Sequence, residues 1–97
     1  MITDFVPGPI QFDWDKWNFD KNYKKHGVSS EEAEEVFLNG KTIFSEDIKH
    51  SKKERRFQAL GASDKGRKLF ISFTIRTNKV RIISARDMSK KERKIYE

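Results

Sequence analysis

The stretch "KLFISFTIRTNKVRIISAR", Lys68 to Arg86, decides the fold. Side chains alternate across a strand, so Leu69, Ile71, Phe73 and Ile75 line one face, and Phe70, Ser72, Thr74 and Arg76 line the other. Thr77-Asn78 supplies a turn. "KVRIISAR" then continues as a second strand, with Val80 and Ile82 on the apolar side and Arg81 on the polar side. The pattern predicts an antiparallel hairpin with one face packed on a core and the other open, as antiparallel sheets allow. On the open face it places arginines that contribute nothing obvious to a core.

Working outward, "ERRFQALGAS" from Glu54 reads as another strand, with Arg55, Phe57 and Ala59 opposite Glu54, Arg56, Gln58 and Leu60. "SDKGR", Ser63 to Arg67, is a turn with a single glycine, and "KTIFSEDI" from Lys41 is a further strand. Upstream the period becomes helical. Ser29 followed by Glu32 has capping-box spacing, Glu31 to Glu35 favour the positive end of the helix dipole, and Asn39-Gly40 ends the helix. Ala33, Val36 and Phe37 face the core. A preceding helix spans Asp15 to His26, with Phe19, Tyr23 and His26 at i, i+4, i+7 and Gly27 as its C-terminal cap. "QFDWD" reads as a short strand with Phe12 and Trp14 on one face, and Pro7-Gly8-Pro9 marks an arm before it. Ser89 and Glu92 repeat the capping box and start a C-terminal helix through Tyr96. The expected architecture is α+β: an antiparallel sheet of about four strands, two N-terminal helices on one face and a C-terminal helix.

Ninety-seven residues suit one domain over 1–97, with residues 1–11 as the arm. Charged residues reach 37% against 35% apolar. With no cysteine, disulfides, thiolate metal sites and thiol nucleophiles are excluded. Apolar runs are too short for a membrane span, and "MITDFVPGPI" lacks the basic and apolar regions of a signal peptide, so a cytoplasmic protein with no membrane partner is expected. The net charge of +6 divides unevenly: residues 1–48 carry −5 and residues 49–97 carry +11. Basic charge concentrated in one half points to a polyanionic partner, nucleic acid first and an acidic protein second.

If the strands pair in order, Arg56, Arg76 and Arg81 converge with Glu54, Gln58, Ser72 and Thr74 on the open face. Arg86 lies at the strand end, where a bend would aim it at the same place. Guanidinium groups stay charged and grip phosphate oxygens bidentately, so such a cluster suits a nucleic-acid backbone or a phosphate in transfer. The plainer alternative pairs each arginine with a nearby acid such as Glu54, Asp87 or Glu92.

"FDWD", "NYKKHGVSSEEAEEVF" and the block from His50 to Glu97 together resemble the BrnT family of bacterial toxins. The elements that carry it are "KHGVS", the H-S-x-x-E-R run at His50 to Arg55, "RIISAR", and the terminal "ER…YE". The resemblance covers Phe12 to Glu97. It implies a RelE-like fold and a type II toxin that cuts RNA without a metal and inhibits translation. It further implies neutralisation by a BrnA-like ribbon-helix-helix antitoxin, in a toxin–antitoxin hetero-oligomer that reaches operator DNA only through the antitoxin.

Metal-free RNA cleavage uses the ribose 2′-OH as nucleophile, so the protein must supply a base, an acid for the leaving 5′-oxygen and cations for the charge on the phosphorane. Arg76 and Arg81 are assigned to the phosphate, with Arg56 and Arg86 as second members and Lys24 and Lys25 as backbone contacts. The proton-transfer candidates are His26, His50, Glu54 and Tyr96. Each has a structural alternative: His26 as a helix C-terminal charge, His50 as a loop residue, Glu54 as an arginine organiser, and Tyr96 as a packing residue. The two histidines stand far apart without a carboxylate at ligand spacing, so no metal or other cofactor is expected. No nucleophile-elbow pattern supports a hydrolase triad. A competing function is a non-catalytic nucleic-acid- or antitoxin-binding module in an autorepressor complex.

Overall fold

The computed structural model describes residues 8–15 and 23–97. Residues 1–7 and 16–22, and with them most of the arm and the Phe19 turn of the first helix, lie outside the described residues. Residues 23–26 are helical (α1) and stop at Gly27, whose φ of +67° is the left-handed conformation that ends helices. Helix α2 spans Ser30–Leu38, and its N-terminus carries both halves of the Ser29/Glu32 capping box. Four strands follow: β1 Ile43–Glu46, β2 Phe57–Ala62, β3 Lys68–Arg76 and β4 Lys79–Asp87. Helix α3, Lys90–Tyr96, has the second capping box at Ser89/Glu92. The strands form one antiparallel sheet in the order β1-β2-β3-β4, the RelE-like arrangement expected. "QFDWD" is not a strand of this sheet: Phe12 makes one parallel bridge to Val80, with the Asp13 N–H donating to the Val80 carbonyl at 2.8 Å. The segment "KTIFSEDI" is strand only in its centre, because Ile48–His50 wind into a 3₁₀ turn.

The core lies between α2 and one sheet face. Ala33, Val36 and Phe37 meet Phe57, Ala59, Leu69, Ile71, Phe73, Val80, Ile82 and Ala85, all buried. Phe37 stands edge-on to Phe73 with centroids 4.9 Å apart, and Phe12 packs edge-on to Phe37 at 5.5 Å. Gly61 lets the strand approach this helix: a Cβ there would stand 2.6 Å from the Thr42 hydroxyl and 2.7 Å from a Val36 methyl. Gly61→Ala is therefore expected to cost roughly 1–3 kcal/mol through overpacking, read as a lower urea midpoint with an unchanged slope.

The β3–β4 hairpin positions the open face. Thr77 and Asn78 both have positive φ, 51° and 61°, the primed turn that matches strand twist. The register then slips once: Ser72 faces Ser84, but Phe73 faces Ile82, leaving Ile83 as an extra residue. Arg81 and Arg86 are five apart and would lie on opposite faces of a regular strand; the bulge between them returns both to the open face, opposite Thr74 and Phe70.

Candidate active site

The open face carries two charge-paired arginines near the hairpin. Arg76 donates to Glu54 from Nε at 2.9 Å and from Nη2 at 3.1 Å. Thr74, buried beside it, donates to the Arg55 carbonyl at 2.7 Å and so holds the Glu54–Arg56 backbone against β3. The Arg76 hydrogen bond keeps the Glu54 carboxyl below its ordinary value against some burial, and the charges of Arg76, Arg56 and Arg81 add to this. Arg81 donates to Asp15 at 2.5 Å and lies 3.7 Å from Asp13. Those aspartates reach it because residues 11–13 run alongside β4 and Trp14 donates to Glu34 on α2 at 2.6 Å.

The β1–β2 connection completes the site. It is closed at its base by the Asp47 N–H donating to the Arg56 carbonyl at 2.8 Å, and by the Ser51 hydroxyl donating to the Asp47 carbonyl at 2.6 Å. Inside it, His50 Nδ1 lies 2.9 Å from Asp47 Oδ2, the eclipsed i,i+3 geometry of a 3₁₀ turn. Burial pushes the Asp47 carboxyl up, but hydrogen bonds from His50 and Gln58 outweigh it and leave the group lowered. With Nδ1 on the carboxylate, Nε2 is the ring nitrogen left for a ligand. An open cleft between this loop and β3 is lined by His50, Glu54, Arg56 and Arg76, with Ile48, Lys49, Lys52 and Lys53 around them. The arrangement places a carboxylate, an imidazole and several cations around one open cleft.

The other assigned residues stand elsewhere. Arg86 is bound to Glu92 at 2.8 and 2.9 Å and sits 4.2 Å over the Phe70 ring, so α3 holds it against the sheet. Phe70 is six residues from Arg76 along β3, roughly 20 Å at ~3.3 Å per residue. His26 lies toward that far end as well: its carbonyl accepts from Arg67 at 3.2 Å, and Arg67 also grips Asp87 at 2.7 Å. Tyr96 is half-buried at the end of α3, and Lys24 and Lys25 are exposed on α1. Thus His50, Glu54, Arg56 and Arg76 come together with Arg81 beside them, whereas His26, Arg86 and Tyr96 do not join them. The pairing of arginines with acids, expected as the alternative, is widespread: Arg67, Arg76, Arg81 and Arg86 all have carboxylate partners.

Asp47, Lys49, Lys52, Lys53 and Asp15 were absent from the sequence reading of the site. The Asp47-x-x-His50 spacing was the available signal for the first, and the basic run "KHSKKERR" for the lysines. Nothing local links Asp15 to Arg81, 66 positions away.

Among the described residues no group of three or more His, Cys, Asp or Glu is placed to hold a metal ion, and no helix is long and apolar enough to cross a membrane. A family model described as "Ribonuclease toxin, BrnT, of type II toxin-antitoxin system" matches residues 14–92. The chain belongs to the BrnT family. As a BrnT-family toxin it has a ribonuclease role, with RNA as substrate and a cognate antitoxin as partner. The match spans all the cleft residues and begins just after the bridge at Phe12. Among curated proteins no relative matches significantly.

Proposed function

We propose that this BrnT-family toxin is a metal-independent endoribonuclease in which Glu54, His50 and Arg76 act on one phosphodiester. The observation that carries the reading is the meeting, in one cleft, of the Arg76–Glu54 pair with His50, whose Nδ1 is held by Asp47. Arg76 turns part of its fork from Glu54 to the phosphate, which relieves the hydrogen bond that makes Glu54 a weak base. Glu54 takes the 2′-OH proton, the O2′–P bond forms, and Arg76 and Arg56 bind the charge on the equatorial oxygens. His50, its Nδ1 held by the Asp47 carboxylate at 2.9 Å, donates from Nε2 as the P–O5′ bond breaks, leaving a 2′,3′-cyclic phosphate and a 5′-hydroxyl. Arg81 adds positive field beside Glu54. What supports the metal-free route is the donor set: the cleft offers one imidazole and one arginine-bound carboxylate among cations, a poor site for a divalent ion. A BrnA-like antitoxin neutralises the toxin by covering this cleft, and the resulting hetero-oligomer represses its promoter through the antitoxin's DNA-binding domain. Cleavage of RNA by the toxin in EDTA, with 2′,3′-cyclic phosphate ends, is the expected result. RNA that binds and survives, with or without ribosomes, would favour the binding-module function.

A further inference from the structure

Arg55, Arg67, Arg76, Arg81 and Arg86 each have a carboxylate partner. Around the cleft the pattern reverses: among the described residues no carboxylate lies at ion-pair distance from Lys49, Lys52, Lys53 or Arg56, although all four line it. Four like charges gathered on a loop that its own hydrogen bonds hold closed repel one another, and among the residues lining the cleft Glu54 is the one carboxylate against them, itself bound by Arg76. Between them stand Ile48, 80% exposed, and the exposed ring of His50. An exposed aliphatic and a flat ring set among cations suit unstacked bases beside their phosphates, a combination that single-stranded RNA offers and an A-form duplex hides.

We propose that the 48–53 loop is a binding site for single-stranded RNA flanking the scissile phosphate, with Lys49, Lys52 and Lys53 on successive phosphates and Ile48 against a base. This rests on the ribonuclease reading of the same cleft, because Arg76 and Glu54 line its far wall. Ile48 and the three lysines of the loop thereby set affinity and strandedness, while the chemistry is left to His50, Glu54 and Arg76. An acidic peptide would use the lysines equally well but would leave Ile48 without a function, which favours RNA.

The test uses a short single-stranded 2′-O-methyl RNA, which cannot be cleaved because its 2′-oxygen is blocked, so binding is measured whether or not the protein is a nuclease. For the Lys49→Ala/Lys52→Ala/Lys53→Ala variant, log Kd against log salt is expected to lose about 2 units of slope, from ~0.7 per phosphate contact. A Lys90→Ala/Lys91→Ala/Lys94→Ala variant, with the same charge change on α3, is expected to keep the slope. The duplex of the same oligonucleotide is expected to bind at least tenfold more weakly, and Ile48→Ala to weaken only the single strand. On cleavable RNA the loop variant raises KM and keeps kcat. An unchanged slope, equal losses in the α3 control, or duplex binding as tight as single strand overturns the proposal. So does loss of poly-glutamate binding with RNA binding intact, which would assign the loop to an acidic protein. If 2′-O-methyl RNA binds as expected and cleavable RNA survives, the loop site stands and the ribonuclease reading of the cleft fails.

Discussion

Arg76→Ala is expected to lower kcat for RNA cleavage by roughly 100- to 1000-fold, the range seen when a donor to the developing charge is removed, with a smaller change in KM. The side chain is half exposed and reaches Glu54 through two N–H groups, so one edge of its fork can pass to a phosphate without unburying anything. An exposed pair of this kind contributes little to folding, and a near-unchanged thermal midpoint would show that lost activity is not lost structure. The pair also predicts a pH effect with a definite sign. The Arg76 hydrogen bond is the largest cause of the lowered Glu54 pKa, so its removal lets that pKa rise, although Arg56 and Arg81 still oppose the rise. The acidic limb of residual kcat/KM should therefore move to higher pH in Arg76→Ala, and Glu54→Gln should abolish the limb. Arg76→Lys keeps the charge but loses the fork, and should recover only part of the rate. Arg76→Ala activity within threefold of the parent, or an acidic limb that does not move, would remove this pair from the chemistry.

The hairpin, both capping boxes and the helix-facing Ala33, Val36 and Phe37 were legible because each is a local pattern whose period or spacing has one physical solution. The bulge was not legible: two consecutive isoleucines, Ile82 and Ile83, fit either face, so nothing marks which is extra. A bend at the end of β4 was expected to aim Arg86 at the arginine cluster. The bulge does return Arg86 to the open face, yet Glu92 and Phe70 hold it at the other end of the sheet. The gathering of Arg56, Arg76 and Arg81 at the candidate site was legible, because alternation carried it. The site was illegible where a 3₁₀ turn replaced the strand, since the end of β1 at Glu46 turns Asp47 and His50 to one side in a way no alternation describes. Long-range partners such as Asp15 and Arg81 depend on the completed fold.

His50→Ala is expected to lower kcat by roughly 10²- to 10⁴-fold, the contribution of a positioned general acid. The ring is exposed and its only hydrogen bond among the described residues is to Asp47, so folding should be little affected. Slow cleavage alone would not separate an acid from a phosphate-binding cation. A substrate whose bridging 5′-oxygen is replaced by sulfur does separate them, because a thiolate leaves without being protonated. His50→Ala should approach the parent rate on that substrate, while Arg76→Ala, which stabilises charge on the non-bridging oxygens, should remain slow. Asp47→Asn tests the orientation of the ring: its amide oxygen can still accept from Nδ1, but its amide nitrogen, unlike a carboxylate oxygen, cannot. About a tenfold fall in kcat is expected, together with the same rescue by sulfur. If sulfur rescues neither variant, His50 is a phosphate ligand and the proton for the leaving group comes from elsewhere. Rescue of both places proton donation at Nε2 and assigns Asp47 to holding that nitrogen toward the cleft.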